Sequence, residues 1–147
     1  MGMSNEGPVV SLRLNVGERQ PMVVVDTASL VAGLGIEGDR HATPRPERRD
    51  HQVLLMDEET LESLSLGPGV VRENVTTGGI DMASVSAGQR LALGPEAVVE
   101  ISKPCTPCAR MDEVRPGLQR ELEGRRGMLA WVVQGGSVAV GDPIRRL

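Results

Sequence analysis

The stretch Val10-Ser11-Leu12-Arg13-Leu14-Asn15-Val16 alternates apolar and polar side chains at every step, which is the period of a strand with one buried face. A short Gly-containing turn follows, and Pro21 to Val25 reads as a second strand, so the chain is expected to open with a hairpin. Further along, Gln52-Val53-Leu54-Leu55-Met56 predicts a buried strand. Asp57 then caps a short helix whose Leu61 and Leu64 share a face, ended by Gly67-Pro68-Gly69. Residues 70–77 return to strand. Residues 88–93 and 97–102 make two more strands around Gly94-Pro95. Pro116 to Glu123 predicts a short helix with Leu118 and Leu122 in i, i+4 relation and Gly124 as its stop. Residues 128–133 and 138–144, around Gly135-Gly136, predict a final hairpin. Arg40 to Asp50 is polar, carries two prolines and shows no period, so it reads as an exposed loop. Short strands at near-regular spacing with Gly and Pro turns predict a mostly β fold, a barrel with a few short helices, in a single domain over residues 1–147.

Composition narrows the function classes. A chain of 147 residues is long enough to bury a core without disulfides. There is no Phe or Tyr and one Trp, so the core must come from Val, Leu, Ile and Met. Sixteen basic against 20 acidic residues give a net charge of -4, which provides no field for a nucleic acid backbone. Fifteen of the basic residues are Arg, whose planar fork suits oxyanions; Lys103 is the only lysine. No apolar run reaches the length of a membrane span, and the first residues carry no export signal, so neither nucleic acid nor membrane is an expected partner and the cytoplasm is the expected compartment.

Two cysteines in Cys105-Thr106-Pro107-Cys108 carry the most chemistry. Half of a zinc site would need two further ligands, and His41 and His51 lie in a loop rather than at ligand spacing. A thioredoxin-like pair belongs at a helix start in a βαβ unit, whereas this motif follows a run of strands. A single reactive thiol fits better, because Cys108 lies between a strand and a possible helical turn with Lys103 and Arg110 nearby. An unperturbed thiol is only about 3% ionised at pH 7, and cationic neighbours raise that fraction. A pair of buried, inert cysteines is the competing reading.

Arg72-Glu73-Asn74-Val75-Thr76-Thr77 forms a second cluster, whose donors either line an anion or heterocycle pocket or form an edge strand with a solvated face. His41, after Gly35-Ile36-Glu37-Gly38-Asp39-Arg40, reads by itself as a satisfied loop histidine. Gly38-Asp39 reads as turn chemistry, and Glu121 to Arg126 as a solvated helix end. The glycines match neither a phosphate loop nor a dinucleotide fingerprint, so no nucleotide cofactor is expected.

Taken together, the segments 35–41, 51–57, 72–77, 88–94, Pro107-Cys108-Ala109-Arg110-Met111 and Gly141-Asp142-Pro143-Ile144 resemble, in order, the MOSC domain, named for the C-terminus of molybdenum cofactor sulfurase. The resemblance implies a MOSC-like β-barrel that binds the molybdenum cofactor (molybdopterin) with a cysteine on the metal. Cys108 is the first match for that ligand and Cys105 the second. The resemblance also implies cofactor contacts at Arg72 and Asn74, with Arg40, His41 and Thr76 in the same motifs. It implies two uses: reduction of N-hydroxylated small molecules with electrons from a separate donor protein, or carriage of a cysteine persulfide from a sulfur donor. Pyridoxal phosphate is not expected, since Lys103 alone is left for a Schiff base.

Overall fold

The computed structural model describes residues 5–147. Its first strand, β1 (Glu6–Leu14), pairs antiparallel with β2 (Val23–Val25), Leu12 opposite Val25, so the expected opening hairpin forms. A bulge between Val9 and Ser11 shifts the inward face, and the fully buried positions of β1 are Val9 and Leu12. Beyond the strand the alternation inverts: Asn15 is buried and Val16 is exposed.

Seven strands close a ring. In order they are β11 (Pro143–Arg146), β7 (Arg90–Leu93), β8 (Ala97–Pro104), β9 (Met128–Gln134), β5 (Val53–Asp57), β6 (Val75–Thr77) and β1, and pairing of β11 with β1 completes the barrel. All neighbours run antiparallel except β5 and β6. These two are parallel because the helix α1 (Glu58–Ser63) carries the chain back between them. Asp57 caps α1 as expected, its carboxylate accepting from the Thr60 N–H at 3.0 Å.

Three expectations are corrected. Residues 70–74 are a turn, with strand resuming only at Val75, and Arg72 sits there at φ +64°. The β6 strand is flanked on both sides, so it is not an edge. The final hairpin does not form, because β9 already has β5 and β8 on its two edges and offers no ladder to a third strand. Instead β10 (Gly136–Ala139) joins β3 (Thr27–Val31) and β4 (Gly35–Ile36) in a separate three-stranded sheet, two of whose strands the sequence pattern does not reveal.

The barrel interior holds an aliphatic core that includes Val53, Leu55, Val75, Leu91, Ile101 and Val132. A second, smaller core decides the position of the site. Met56 and Leu61 pack with Leu64, Val71, Met111, Leu118 and Leu122, and so tie α1 to the short helices α2 (Met111–Val114) and α3 (Leu118–Glu121). Burial of each such side chain contributes roughly 1.5–3 kcal/mol. The loops that carry Arg72, Cys108 and Arg126 are all held by this cluster.

Candidate functional site

The strands β5, β8 and β9 end at one rim of the barrel, where the loops from Asn15, Asp39, Val71 and Cys105 meet. A cleft of about 500 Å³ opens there, and Cys105 and Cys108 line it together with Arg40, His41, Arg72 and Asn74. Six of the seven residues expected from the sequence therefore converge from separate segments. Thr76 does not line it. It is fully buried beneath the Arg72 turn, accepting from Ser11 Oγ at 2.8 Å and donating to Glu73 Oε2 at 2.7 Å.

Five cations line the cleft, Arg40, Arg72, Lys103, Arg110 and Arg126, against one carboxylate, Glu18. In an acidic chain this is a concentrated positive field. Burial lowers the pKa of Arg72, and Arg110, Arg40 and Arg126 lower it further, so these guanidinium groups repel one another across the cleft. Arg72 is aimed by its own backbone. Its left-handed turn is closed by its N–H on the Gly69 carbonyl at 3.0 Å, and its guanidinium donates to the Gly17 carbonyl at 3.1 Å.

The two thiols differ. Burial pushes the Cys105 thiol up, beyond what Arg126 and Lys103 offset, and keeps it protonated. For exposed Cys108 burial also acts upward, but the backbone N–H of Arg110, the Arg126 guanidinium and the N–H of Met111 together outweigh it and hold the thiol below its usual range. Arg126 Nη1 lies 3.7 Å from Cys108 Sγ and also donates to the Thr106 carbonyl at 3.2 Å, while Nη2 donates to the Val71 carbonyl at 3.1 Å. One buried arginine thus fixes both the cysteine loop and the Arg72 turn. Glycine is required beside it: Gly127 has φ +82°, a Cβ there would fall 2.1 Å from the Leu55 carbonyl oxygen, and its own carbonyl accepts from the Cys105 N–H at 3.1 Å.

Two residues of the site escape the sequence reading. Arg126, read as part of a solvated helix end, is 9% exposed; only the fold brings it under Cys108. Asp39, read as turn chemistry, is a buried hub. Its Oδ1 accepts from the Asn15 N–H at 2.6 Å and from Asn74 Nδ2 at 2.9 Å, and its Oδ2 accepts from the His41 N–H at 2.9 Å and meets His41 Nδ1 at 3.2 Å. Burial pushes this carboxyl up, but the His41 ring and the two backbone N–H groups prevail and hold it below the usual carboxylate range. Asn74 spends its remaining capacity on the Leu54 N–H and the Arg13 carbonyl. It shapes the cleft floor, with its polar atoms already taken by protein. On the rim, His51 Nδ1 meets Asp50 at 2.8 Å, and Asp50 pairs with Lys103 at 3.2 Å.

The donor set fits an anionic metal cofactor better than a bare ion. Among the described residues no group of three or more His, Cys, Asp or Glu could hold a metal by itself, so a metal at Cys108 must bring its other ligands with it. The Nε of Arg126 is buried without a hydrogen-bond partner among the described residues, leaving one donor of the cleft wall unused. A thiolate-prone cysteine in a cleft lined by arginines suits a metal bound to a phosphorylated organic ligand.

Comparison with known proteins gives a family match and shared folds. The family model described as the MOSC domain matches residues 37–145. The solved structure of the YuaD protein from Bacillus subtilis is similar over 95% of this chain and 94% of its own, with 21% identity and a TM-score of 0.79. YiiM from Geobacillus stearothermophilus gives 18% identity and a TM-score of 0.76 over 96% of this chain and 75% of its own. YiiM from Escherichia coli gives 22% and 0.68 over 97% and 69%. No curated protein matches the chain. No helix among the described residues is long and apolar enough to cross a membrane.

Proposed function

Because this chain belongs to the MOSC domain family, we propose that it binds the molybdenum cofactor at the cysteine cleft and reduces N-hydroxylated small molecules with electrons from a separate protein. One observation carries the reading: the thiol held below its usual pKa, Cys108, opens into a cleft that five cations and one carboxylate line. Cys108 would be the protein's ligand to the metal, and Arg72, Arg110 and Arg40 would hold the cofactor's phosphate, where forked guanidinium groups outperform point charges. When bound, the cofactor supplies a two-electron redox centre. Overall, the substrate's N–OH group takes up two electrons and two protons, the N–O bond breaks, and the products are an N–H group and one water. His41, its Nδ1 held by Asp39, keeps Nε2 available for proton exchange at the cleft. The reading requires a compartment that keeps Cys108 reduced, the cytoplasm.

A second reading, a persulfide carrier, is favoured by the solvent exposure of Cys108, since a sulfur donor must reach it. Metal analysis separates the two. Protein purified from a host that makes the cofactor is expected to carry molybdenum in near-equal amount to chain, and Cys108→Ser to carry none. Folded wild-type protein without molybdenum that gains 32 Da at Cys108 from a sulfur donor, roughly one sulfur atom, would instead establish the carrier.

A further inference from the structure

The cysteine cleft shares Arg40, His41 and His51 with a second cavity of about 820 Å³. Three arginines line this groove, Arg40, Arg45 and Arg48, and among the described residues none of them has a carboxylate at ion-pair distance. That is notable in a chain where acids outnumber bases 20 to 16. Among the described residues Glu47 is the only acid on its wall. Arg40 faces both cavities, whereas Arg45 and Arg48 face this groove and not the cysteine cleft, and an anion entering the groove would offset their charge.

The groove is also held in shape. Its loop is anchored at one end by the buried Asp39 hub. At the other, fully buried Gln52 donates to the Gly33 carbonyl at 3.1 Å and accepts from the Val132 N–H at 3.0 Å. Between these ends, Arg49 stacks on the Trp131 ring at 4.4 Å, the Arg48 N–H donates to the Arg45 carbonyl at 3.1 Å, and Pro44 and Pro46 restrict the backbone. Arg49 is committed to Trp131 and does not line the groove, whereas Arg45 and Arg48 are exposed on it.

We propose that this groove is a second anion subsite, which holds the phosphate monoester of a phosphorylated substrate while the substrate's reacting end lies in the cysteine cleft. The phosphate subsite stands on the arginines alone; that its occupant is a substrate rests on the reductase reading above. The favoured substrate class is then N-hydroxylated compounds that carry a phosphate monoester rather than unphosphorylated ones. The same chemistry would serve a phosphate on a nucleotide-extended cofactor, and the experiment separates the two.

Titration calorimetry of the purified protein with AMP and with adenosine tests the subsite directly. Wild type is expected to prefer AMP by at least about tenfold, as a charge-assisted hydrogen bond provides. R45Q/R48Q, at exposed positions and checked for unchanged thermal unfolding, is expected to lose that preference. No preference in wild type, or a preference that survives in R45Q/R48Q, overturns the proposal. Molybdenum content of R45Q/R48Q is expected to equal that of wild type; a loss would assign the groove to the cofactor and overturn the substrate assignment. An arginine-dependent AMP preference in a protein without reductase activity would leave the subsite standing and sink the reductase reading.

Discussion

Arg126 and Cys108, 18 positions apart in the chain, meet with 3.7 Å between a guanidinium nitrogen and Sγ. The contact makes two thiols of one short motif unlike each other, because Arg126 helps bring Cys108 below its usual range while burial keeps Cys105 above it. Iodoacetamide should therefore label Cys108 first at pH 7, with mass spectrometry locating the adduct. Arg126→Met is expected to slow that labelling severalfold, because the thiolate loses its guanidinium partner. Equal labelling of both cysteines in wild type would contradict the assignment.

Asp39 satisfies four donors or ring contacts, and its replacement tests whether the cleft floor depends on it. Asp39→Asn puts an amide N–H where an acceptor is needed. We expect a loss of about 1–3 kcal/mol in urea unfolding, together with weaker cofactor retention. His41→Gln, on the exposed side of the same contact, should cost well under half as much stability.

Arg72 combines a left-handed backbone with a side chain that lines the cleft, and the two separate by substitution. Arg72→Gly removes the guanidinium and relieves the left-handed conformation; Arg72→Ala removes the guanidinium alone. Both variants should lose cofactor. Thermal unfolding should find the Gly variant more stable than the Ala variant by about 1 kcal/mol.

Glu73 gives a pH dependence of known sign. Burial raises its pKa, and the Gly69 N–H and Thr76 hydroxyl only partly offset this. Its folded pKa therefore exceeds its unfolded value of about 4.3. The contribution to stability is fully present below that value and is lost as pH rises through the folded pKa. Glu73→Gln should flatten this decline, so the stability difference between variant and wild type, measured by urea unfolding from pH 4 to 8, should shift in the variant's favour as pH rises. A difference independent of pH would show that folding leaves the pKa of Glu73 unshifted.

Much of the barrel was legible in local pattern. The β1–β2 hairpin, the cap at Asp57, and the paired strands around Gly94-Pro95 depend on neighbours within a few residues, where period and turn chemistry act. The two-strand reading of residues 128–144 failed because a strand with apolar alternation does not announce which edge it will find; β9 had none left. Val70 and Val71 read as strand since they are β-branched, yet Val71 is buried in the satellite core from within a turn.

The site divides in the same way. By itself the sequence determined a strand-rich, aliphatic-cored fold, two thiols in Cys105-Thr106-Pro107-Cys108, and basic residues that are almost entirely arginine. Those are properties of composition and of residues close in the chain. Only the tertiary structure chose between the thiols, turned Asp39 from a turn residue into a hub, and buried Arg126 beneath Cys108. Thiol ionisation, carboxylate anchoring and mutual repulsion of guanidinium groups are set by distance and local dielectric. Here the distances that matter join residues 39, 74, 108 and 126, which the closing of the barrel brings to one rim.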